Sequence, residues 1–201
     1  MAQRRGIDRR PASPARGRAA LLVIDLINDF AFPDGARVWR EVQRIQGGVI
    51  ALLDRARRNA VPVVYVNDNL GRWRSDARRL VARCTASGSP SREFVRRIAP
   101  QERDYFVLKP RHSGFYCTPL ELLLEFLRVR TLILAGISTN SCIWMTASEA
   151  HQREYRLIVP RDAVAATTAR DSRMTLEQLE ASLGARVCAV SSVRMSRGGV
   201  R

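Results

Sequence analysis

The stretch from residue 131 to residue 150 constrains the fold more than any other part of the chain. An apolar run, 132–135, stops at Gly136, small polar residues follow, and a helix-compatible segment begins near Cys142. This pattern is typical of a strand that turns tightly into a helix. A thiol at a helix N-terminus lies near backbone N–H groups and the positive end of the helix dipole, which favour the thiolate and can bind an oxyanion. The alternative is a buried structural cysteine.

Apolar runs of strand length alternate with helical periodicities through the rest of the chain. We predict strands at 19–24, 61–66, 105–108, 132–135, 156–159 and 186–190, and helices at 38–59, 118–127, 142–153 and 175–183, with two short helices within 76–99. Such alternation predicts a parallel sheet with right-handed crossovers and helices on both faces. The sequence therefore predicts one α/β domain spanning residues 19–190.

Basic tails are predicted on both sides of this domain, at residues 1–18 and 191–201. The first has six arginines against one aspartate and the second has three arginines and no acid, so they carry more than half of the net charge of +15. Residues 1–18 are polar, contain proline and lack periodicity, which predicts disorder. A binding protein that acts through these tails is one alternative, but no nucleic-acid-binding signature accompanies the charge, so we expect no specific nucleic-acid partner.

The compartment is predicted from what the chain lacks. It has no apolar run of roughly 20 residues and no signal-peptide pattern, so we expect a cytoplasmic protein without membrane contact. Its four cysteines are widely spaced, with no Cys-x-x-Cys pair. This spacing suggests neither a disulfide framework nor a thiolate metal site, and Cys84, Cys117 and Cys188 are interpreted as small core residues.

Three chemically complementary residues follow predicted strands. Asp25 follows the first strand, Lys109 ends the third, and Cys142 comes after the fourth. The chain has 33 arginines and a single lysine, Lys109, which suggests a position where a planar guanidinium does not fit, although chance survival is an alternative. The carboxyl ends of parallel strands meet at one edge of a sheet, so an acid, an amine and a nucleophile can meet there if these strands are near one another.

Four blocks of sequence resemble the isochorismatase-like cysteine hydrolase superfamily. In chain order they are Val23-Ile-Asp25 with Asn28-Asp-Phe30, Lys109-Pro-Arg-His-Ser-Gly-Phe115, Leu134-Ala-Gly-Ile-Ser-Thr-Asn-Ser-Cys142 and Val159-Pro-Arg-Asp162-Ala-Val-Ala165. They stand in the family's order and the resemblance covers residues 19–190. It implies a Rossmann-like α/β fold, a three-layer sandwich with a six-stranded parallel sheet, and a homodimer or homotetramer.

The resemblance also implies roles for individual residues. Asp25 would be the general base, Lys109 its electrostatic partner and Cys142 the nucleophile. A cis peptide would lie between Ile137 and Ser138, and the backbone N–H groups of Ser138 and Cys142 would form the oxyanion hole. The expected reaction is attack on a small amide or ureido compound, with Asp25 taking the thiol proton, helping to protonate the leaving nitrogen and activating the water that clears the thioester.

Two departures from relatives refine this expectation. Nicotinamidases have an Asp-x-His metal motif after the second strand, whereas residues 67–69 here read Asn-Asp-Asn and both histidines, His112 and His151, lie elsewhere. We therefore expect no metal and no cofactor, and a substrate other than nicotinamide. Many isochorismate hydrolases lack the cysteine, so Cys142 favours amide chemistry, and vinyl-ether hydrolysis of an isochorismate-type compound stays the alternative.

Pocket residues are predicted from position alone. Phe115, Tyr116 and similar aromatic side chains near the predicted strand ends can wall an apolar pocket, with polar anchors after the second strand, although core packing is an alternative for many of them. His112 is interpreted as a hydrogen-bonding loop residue, with catalysis as the alternative. The candidate substrate-binding residues are Phe30, Asn67, Asn69, Arg72, Trp73, Phe115, Tyr116 and Trp144.

Overall fold

The computed structural model describes residues 18–69, 71, 73–197 and 199–200. The helices are α1 (Gly35–Arg58), α2 (Ala77–Cys84), α3 (Arg92–Ile98), α4 (Leu120–Phe126), α5 (Trp144–Gln152) and α6 (Ala169–Leu183). The strands are β1 (Arg18–Ile24), β2 (Val63–Asp68), β3 (Tyr105–Lys109), β4 (Val129–Ile137), β5 (Arg156–Pro160), β6 (Val164–Ala165), β7 (Arg186–Cys188), β8 (Met195–Ser196) and β9 (Gly199–Val200). Among the described residues, no helix is both long and apolar enough to cross a bilayer. The predicted N-terminal tail lies outside them, except for Arg18, which opens β1.

The main sheet is parallel throughout, with the strand order β3-β2-β1-β4-β5-β7. These six strands are those predicted from the sequence. The two-residue strand β6 also pairs with β4 and was not predicted. Strand β1 lies between β2 and β4, where Leu22 is in register with Val64 and Leu134, and its apolar run agrees with a strand that is covered on both faces.

Two separate cores lie on the two faces of the sheet. Leu21 and Val23 of β1 pack in one core with α1 and α3, whereas Leu22 and Ile24 pack in the other with α4, α5 and α6. Successive side chains of a strand point to opposite faces, so one continuous apolar run supplies both cores. The predicted α/β fold with helices on both faces is confirmed.

Strand β2 runs further than predicted. It starts after Pro62, which has no N–H to donate to the sheet, and it continues to Asp68. There Asn67 is in register with Leu108, and Asp68 with Lys109. The extension brings a second carboxylate beside the only lysine.

The structured region also continues beyond residue 190, where the predicted domain ends. Val193 is fully buried, and the Arg55 guanidinium donates to the carbonyl oxygens of Val190 (2.8 Å) and Val193 (2.7 Å). Strands β8 and β9 pair in antiparallel fashion. The described part of the segment assigned to a basic tail therefore packs on the domain, because Val193, Met195 and Val200 pack with the core that contains α1.

Candidate active site

Asp25 lies at the carboxyl edge of the sheet, directly after β1. Its backbone adopts φ = 55°, a left-handed conformation that aspartate tolerates better than most residues. Its N–H donates to the carbonyl of Val66 (3.1 Å), and its Oδ1 accepts from the backbone N–H of Asp68 (2.6 Å). The carboxylate is buried, so β1 and β2 fix it together.

Lys109 ends β3, and its side chain is 0% exposed. Its Nζ lies 2.9 Å from Asp25 Oδ2 and 3.6 Å from Asp68 Oδ2, and it donates to the carbonyl of Arg111 at 3.2 Å. A buried ammonium requires such partners. A compact charge on a flexible stem fits this enclosed position, whereas a planar guanidinium does not, which gives a physical reason for the single lysine.

An irregular turn after β4 carries the cysteine. Gly136 has φ = +130°, and a Cβ there would lie 2.0 Å from the carbonyl oxygen of Ile24, so only glycine allows β4 to approach the end of β1 so closely. The peptide bond between Ile137 and Ser138 is cis. Residues Thr139–Ile143 then form a π-helical turn that leads into α5. Cys142 is thus presented by a π turn, a feature frequent at functional sites.

The three strand-end residues meet around the sulfur of Cys142. Cys142 Sγ lies 3.5 Å from Lys109 Nζ, and the same Nζ lies 2.9 Å from Asp25 Oδ2. Lys109 reaches Asp25 across β2, since β2 separates β1 from β3 in the sheet. The structure therefore brings together the acid, the amine and the thiol that the sequence singles out.

The electrostatics of this cluster favour a neutral thiol at rest. The pKa of Cys142 is raised to about 12, first by burial and then by the Asp25 carboxylate, against the opposing effect of Lys109. Burial also raises the pKa of Asp25 above its ordinary value of 3.8, because desolvation outweighs the attraction of Lys109. The prediction that the helix start would favour the thiolate is wrong for the resting site, since burial beside a carboxylate dominates.

Burial by itself would lower the pKa of Lys109, but the charges of Asp25 and Cys142 raise it above its ordinary value of 10.5. The ammonium is therefore the stable form of this side chain at neutral pH. The resting cluster combines a thiol, an ammonium and a carboxylate with increased proton affinity. A carboxylate of that kind, which shares its Lys109 contact with the thiol, is suited to accept the thiol proton during attack.

His112 approaches the sulfur from the solvent side. Its Nδ1 lies 3.7 Å from Cys142 Sγ and 3.4 Å from Ser141 Oγ, and its side chain is exposed. The interpretation of His112 as a loop hydrogen-bonding residue agrees with the Ser141 contact but misses the contact with the sulfur. The signal available in the sequence was its position three residues after Lys109.

The described candidate substrate-binding residues fall into two groups, those buried in the interior and those that line grooves. Phe30 and Phe115 are buried in the two cores, where Phe30 packs on Trp39 (5.0 Å between centroids) and Phe115 lies under the Arg153 guanidinium (4.7 Å). Asn67 is also fully buried. These three side chains therefore pack in the protein interior.

Asn67 has both ends of its side-chain amide occupied. Its Oδ1 accepts from the backbone N–H of Ile27 (3.1 Å), and its Nδ2 donates to the Ile27 carbonyl (3.0 Å). This pair fixes the loop that follows Asp25. Asn67 therefore holds the loop after Asp25 through two hydrogen bonds to the backbone of Ile27.

Two grooves flank the cluster and contain the remaining candidates. One, of about 450 Å³, is lined by His112, Tyr116, Trp144 and Met145 among others. The other, of about 470 Å³, is lined by Asp68, Asn69, Trp73, Tyr116 and their neighbours. Tyr116 lies between the two. Arg72 lies outside the described residues.

The remaining cysteines do not contribute to the cluster. Cys84 and Cys188 are buried, as predicted, but Cys117 is exposed, because it lies in the loop between β3 and α4 instead of on a core face. In the described part of the chain, no three His, Cys, Asp or Glu side chains are arranged to bind a metal ion.

The fold and the cluster define the class: a Rossmann-like α/β protein with a buried acid, lysine and cysteine at the carboxyl edge of its parallel sheet. The Isochorismatase domain family matches residues 19–192. The chain therefore belongs to the isochorismatase family of hydrolases.

Relatives agree with this assignment. The chain is 37% identical over 168 residues to the uncharacterized isochorismatase family protein YaaI of Bacillus subtilis, covering 84% of this chain and 92% of that protein. The structure of N-carbamoylsarcosine amidase from Thermoplasma acidophilum has a TM-score of 0.66 and 28% identity, covering 88% of this chain and 99% of that one. The ureidoacrylate amidohydrolase RutB of Methylobacterium radiotolerans is 32% identical over 169 residues, 71% of this chain and 65% of that protein. The chain thus spans just under two thirds of that amidohydrolase.

Proposed function

We propose that this protein hydrolyses a carbon–nitrogen bond of a small amide or of a ureido or carbamoyl compound, through a thioester on Cys142. One observation carries the proposal. Lys109 Nζ contacts both the Cys142 sulfur at 3.5 Å and the buried Asp25 carboxylate at 2.9 Å, so thiol, ammonium and carboxylate form one cluster. A nucleophile, a proton acceptor and a fixed positive charge are the groups that acyl transfer requires.

The first half of the reaction follows from these contacts. Asp25 accepts the proton of the Cys142 thiol as the sulfur attacks the carbonyl carbon, and Lys109 stabilises the negative charge that develops nearby. The backbone N–H groups of Ser138 and Cys142, on the turn that carries the nucleophile, are proposed to bind the oxyanion. Loss of the amine leaves a thioester, which water then hydrolyses.

The substrate class is supported by two relatives. One is named a ureidoacrylate amidohydrolase and the other an N-carbamoylsarcosine amidase, and both names describe hydrolysis at a carbonyl bonded to nitrogen. The grooves lined by His112 and by Asp68, each below 500 Å³, suit a small molecule rather than a polypeptide.

The direct test is release of ammonia or amine from a panel of small amides, ureido acids and carbamoyl compounds. The wild type should turn over at least one of them, and Cys142→Ala should not. Inactivation by iodoacetamide should place the label on Cys142, measured in a Cys117→Ser background because Cys117 is exposed.

The alternative has a distinct signature. If Cys142→Ala kept full turnover of isochorismate, the protein would be a vinyl-ether hydrolase and the thioester proposal would fail.

Self-association into a dimer or tetramer is proposed from the family resemblance. It is supported by Leu122 and Phe126 of α4, which are 70% and 78% exposed in the single chain, more than large apolar side chains of a monomer usually are. Analytical ultracentrifugation tests it.

A further inference from the structure

We propose that His112 is a catalytic residue that gives a proton to the leaving nitrogen when the carbon–nitrogen bond breaks. The inference rests on the proposed amide hydrolysis at Cys142. It gives to His112 two proton transfers, to the leaving nitrogen and from the attacking water, that the family resemblance implies for Asp25.

The position of His112 relative to the sulfur is the first reason. Lys109 contacts the sulfur from the protein interior at 3.5 Å and is paired with Asp25, and the two side chains are 0% and 8% exposed. His112 is exposed and contacts the same sulfur at 3.7 Å through Nδ1. The substituents of a carbon bonded to Sγ lie two bonds from the sulfur, so Nδ1 is within reach of a leaving nitrogen on that carbon.

The loop that carries His112 is fixed on both sides of the ring, which is the second reason. Before it, the carbonyl of Arg111 accepts from Lys109 Nζ at 3.2 Å. After it, the N–H of Gly114 donates to Thr146 Oγ1 at 2.9 Å. A Cβ at Gly114 would lie 2.9 Å from Val66 Cγ1, so the loop lies directly against the sheet. The exposed imidazole is therefore held by a backbone that has little freedom to move away from the sulfur.

The groove beside His112 leaves room for the departing group. His112 lines the cavity of about 450 Å³ together with Tyr116, Trp144 and Met145. Asp25 does not line this cavity and is buried below the sulfur. A leaving amine that departs through this cavity therefore passes the imidazole.

Proton transfers through both groups balance over one turnover. In acylation, the S–H bond of Cys142 breaks, its proton passes to Asp25, and the sulfur bonds to the carbonyl carbon. The carbon–nitrogen electron pair stays on nitrogen, which takes the Nδ1 proton of the His112 imidazolium. In deacylation, water bonds to the carbonyl carbon and gives a proton to the neutral imidazole, while the sulfur leaves with the carbon–sulfur electron pair and regains its proton from Asp25. One amide and one water give an acid and an amine, and all three side chains are restored.

Ser141 stabilises the protonated form of the His112 ring, which is the form that donates a proton. In the imidazolium form both ring nitrogens carry protons, and Ser141 Oγ, 3.4 Å from Nδ1, is the acceptor for Nδ1–H before a substrate is bound. The same contact orients the ring so that Nδ1, rather than Nε2, lies toward the sulfur.

The test compares leaving groups that differ in their need for a proton. An amide that the panel identifies is paired with the p-nitrophenyl ester of the same acyl group, whose phenolate departs without a proton. His112→Gln should lower amide turnover about 10²–10⁴-fold, the usual contribution of a positioned general acid, while the pre-steady-state burst of p-nitrophenolate stays within about threefold of wild type. The variant should also accumulate an acyl group on Cys142, visible by intact-mass spectrometry, because the water step has lost its base.

The chain provides a matched control, since His151 is its only other histidine and is exposed at the end of α5. His151→Gln should change neither rate. The inference is overturned if His112→Gln slows the ester burst and the amide equally, which would indicate a structural role for the loop, or if it slows neither. Failure of the proposed function is seen separately, because the wild type would then release no ammonia from any compound of the panel and show no burst.

Discussion

The two sides of the Cys142 sulfur are built by different parts of the chain. On the buried side, Asp25 and Lys109 are the first residue after β1 and the last residue of β3, and sheet pairing fixes both. On the exposed side, His112 belongs to the loop after β3 and Ser141 to the π turn before α5. In the proposed reaction this difference is a division of tasks: the sheet edge sets the charges that act on the sulfur, and the loops contact the group that departs.

Substituting Lys109 by Met tests the buried side most severely. Met keeps much of the side-chain volume but removes the charge, which leaves Asp25 buried without its opposite charge. We expect the free energy of unfolding to fall by about 3–5 kcal/mol, the range for breaking a buried ion pair from one side, and amide turnover to be lost. Urea denaturation followed by circular dichroism measures the first effect.

Arg111→Met is the matched control for that variant. Arg111 is two residues away and exposed, so its loss should change the unfolding free energy by less than about 0.5 kcal/mol. Equal stability losses in the two variants would contradict the assignment of Lys109 as the charge that balances the buried carboxylate.

Asp25→Asn should separate chemistry from stability. The amide retains an oxygen that accepts from the Asp68 N–H but cannot accept the thiol proton, so turnover should fall about 10²–10⁴-fold. The stability loss should be smaller than that of Lys109→Met, because Lys109 keeps Asp68 at 3.6 Å and the Arg111 carbonyl at 3.2 Å. Steady-state kinetics and urea denaturation check the two parts, with the exposed Asp34→Asn as the control. An Asp25→Asn enzyme with wild-type turnover would exclude Asp25 as the proton acceptor.

The buried side is also the side that the sequence predicts. Asp25, Lys109 and Cys142 are identified because apolar runs mark the strands, and the ends of parallel strands share one edge. The strand order is not available from the runs, and β2 lies between β1 and β3. Lys109 still reaches Asp25, because a long flexible side chain crosses the intervening strand.

The exposed side depends on contacts that no local pattern encodes. His112 lies near the sulfur because Gly114 packs against Val66 and bonds to Thr146, residues far away in the sequence. Phe30 and Asn67 are close to Asp25 along the chain or the sheet, yet they pack inward. Position near a strand end thus predicts which backbone is at the site but not which way a loop side chain points.

The pH dependence of turnover gives a further test of the buried side. Asp25 must be deprotonated to accept the thiol proton, and its pKa is raised above 3.8. Amide turnover should therefore decrease as the pH falls through this raised pKa, at a midpoint above 3.8. A midpoint at or below 3.8 in the kcat/KM profile would contradict a desolvated carboxylate.

The same shift changes stability in a defined direction. Between pH 3.8 and the raised pKa, the folded state binds the Asp25 proton and the unfolded state does not, so this group adds stability as the pH decreases. The unfolding free energy of the wild type relative to Asp25→Asn should accordingly increase toward low pH. A difference that is constant with pH would indicate that Asp25 titrates normally.

Among these variants, Ser141→Ala should have the smallest effect on amide turnover. It tests how the exposed side of the sulfur is organised. Its hydroxyl contacts His112 Nδ1 at 3.4 Å, so its removal should lower amide turnover roughly two- to twelvefold, the kinetic equivalent of one hydrogen bond of ordinary strength. Because the hydroxyl acts through the imidazole, the substitution should have no further effect in a His112→Gln background, which a double-mutant cycle measures. The same loss in both backgrounds would show that Ser141 acts directly on the nucleophile or the substrate. Loss of the effect in the His112→Gln background would instead identify Ser141 and His112 as one unit, separate from the charges at the sheet edge.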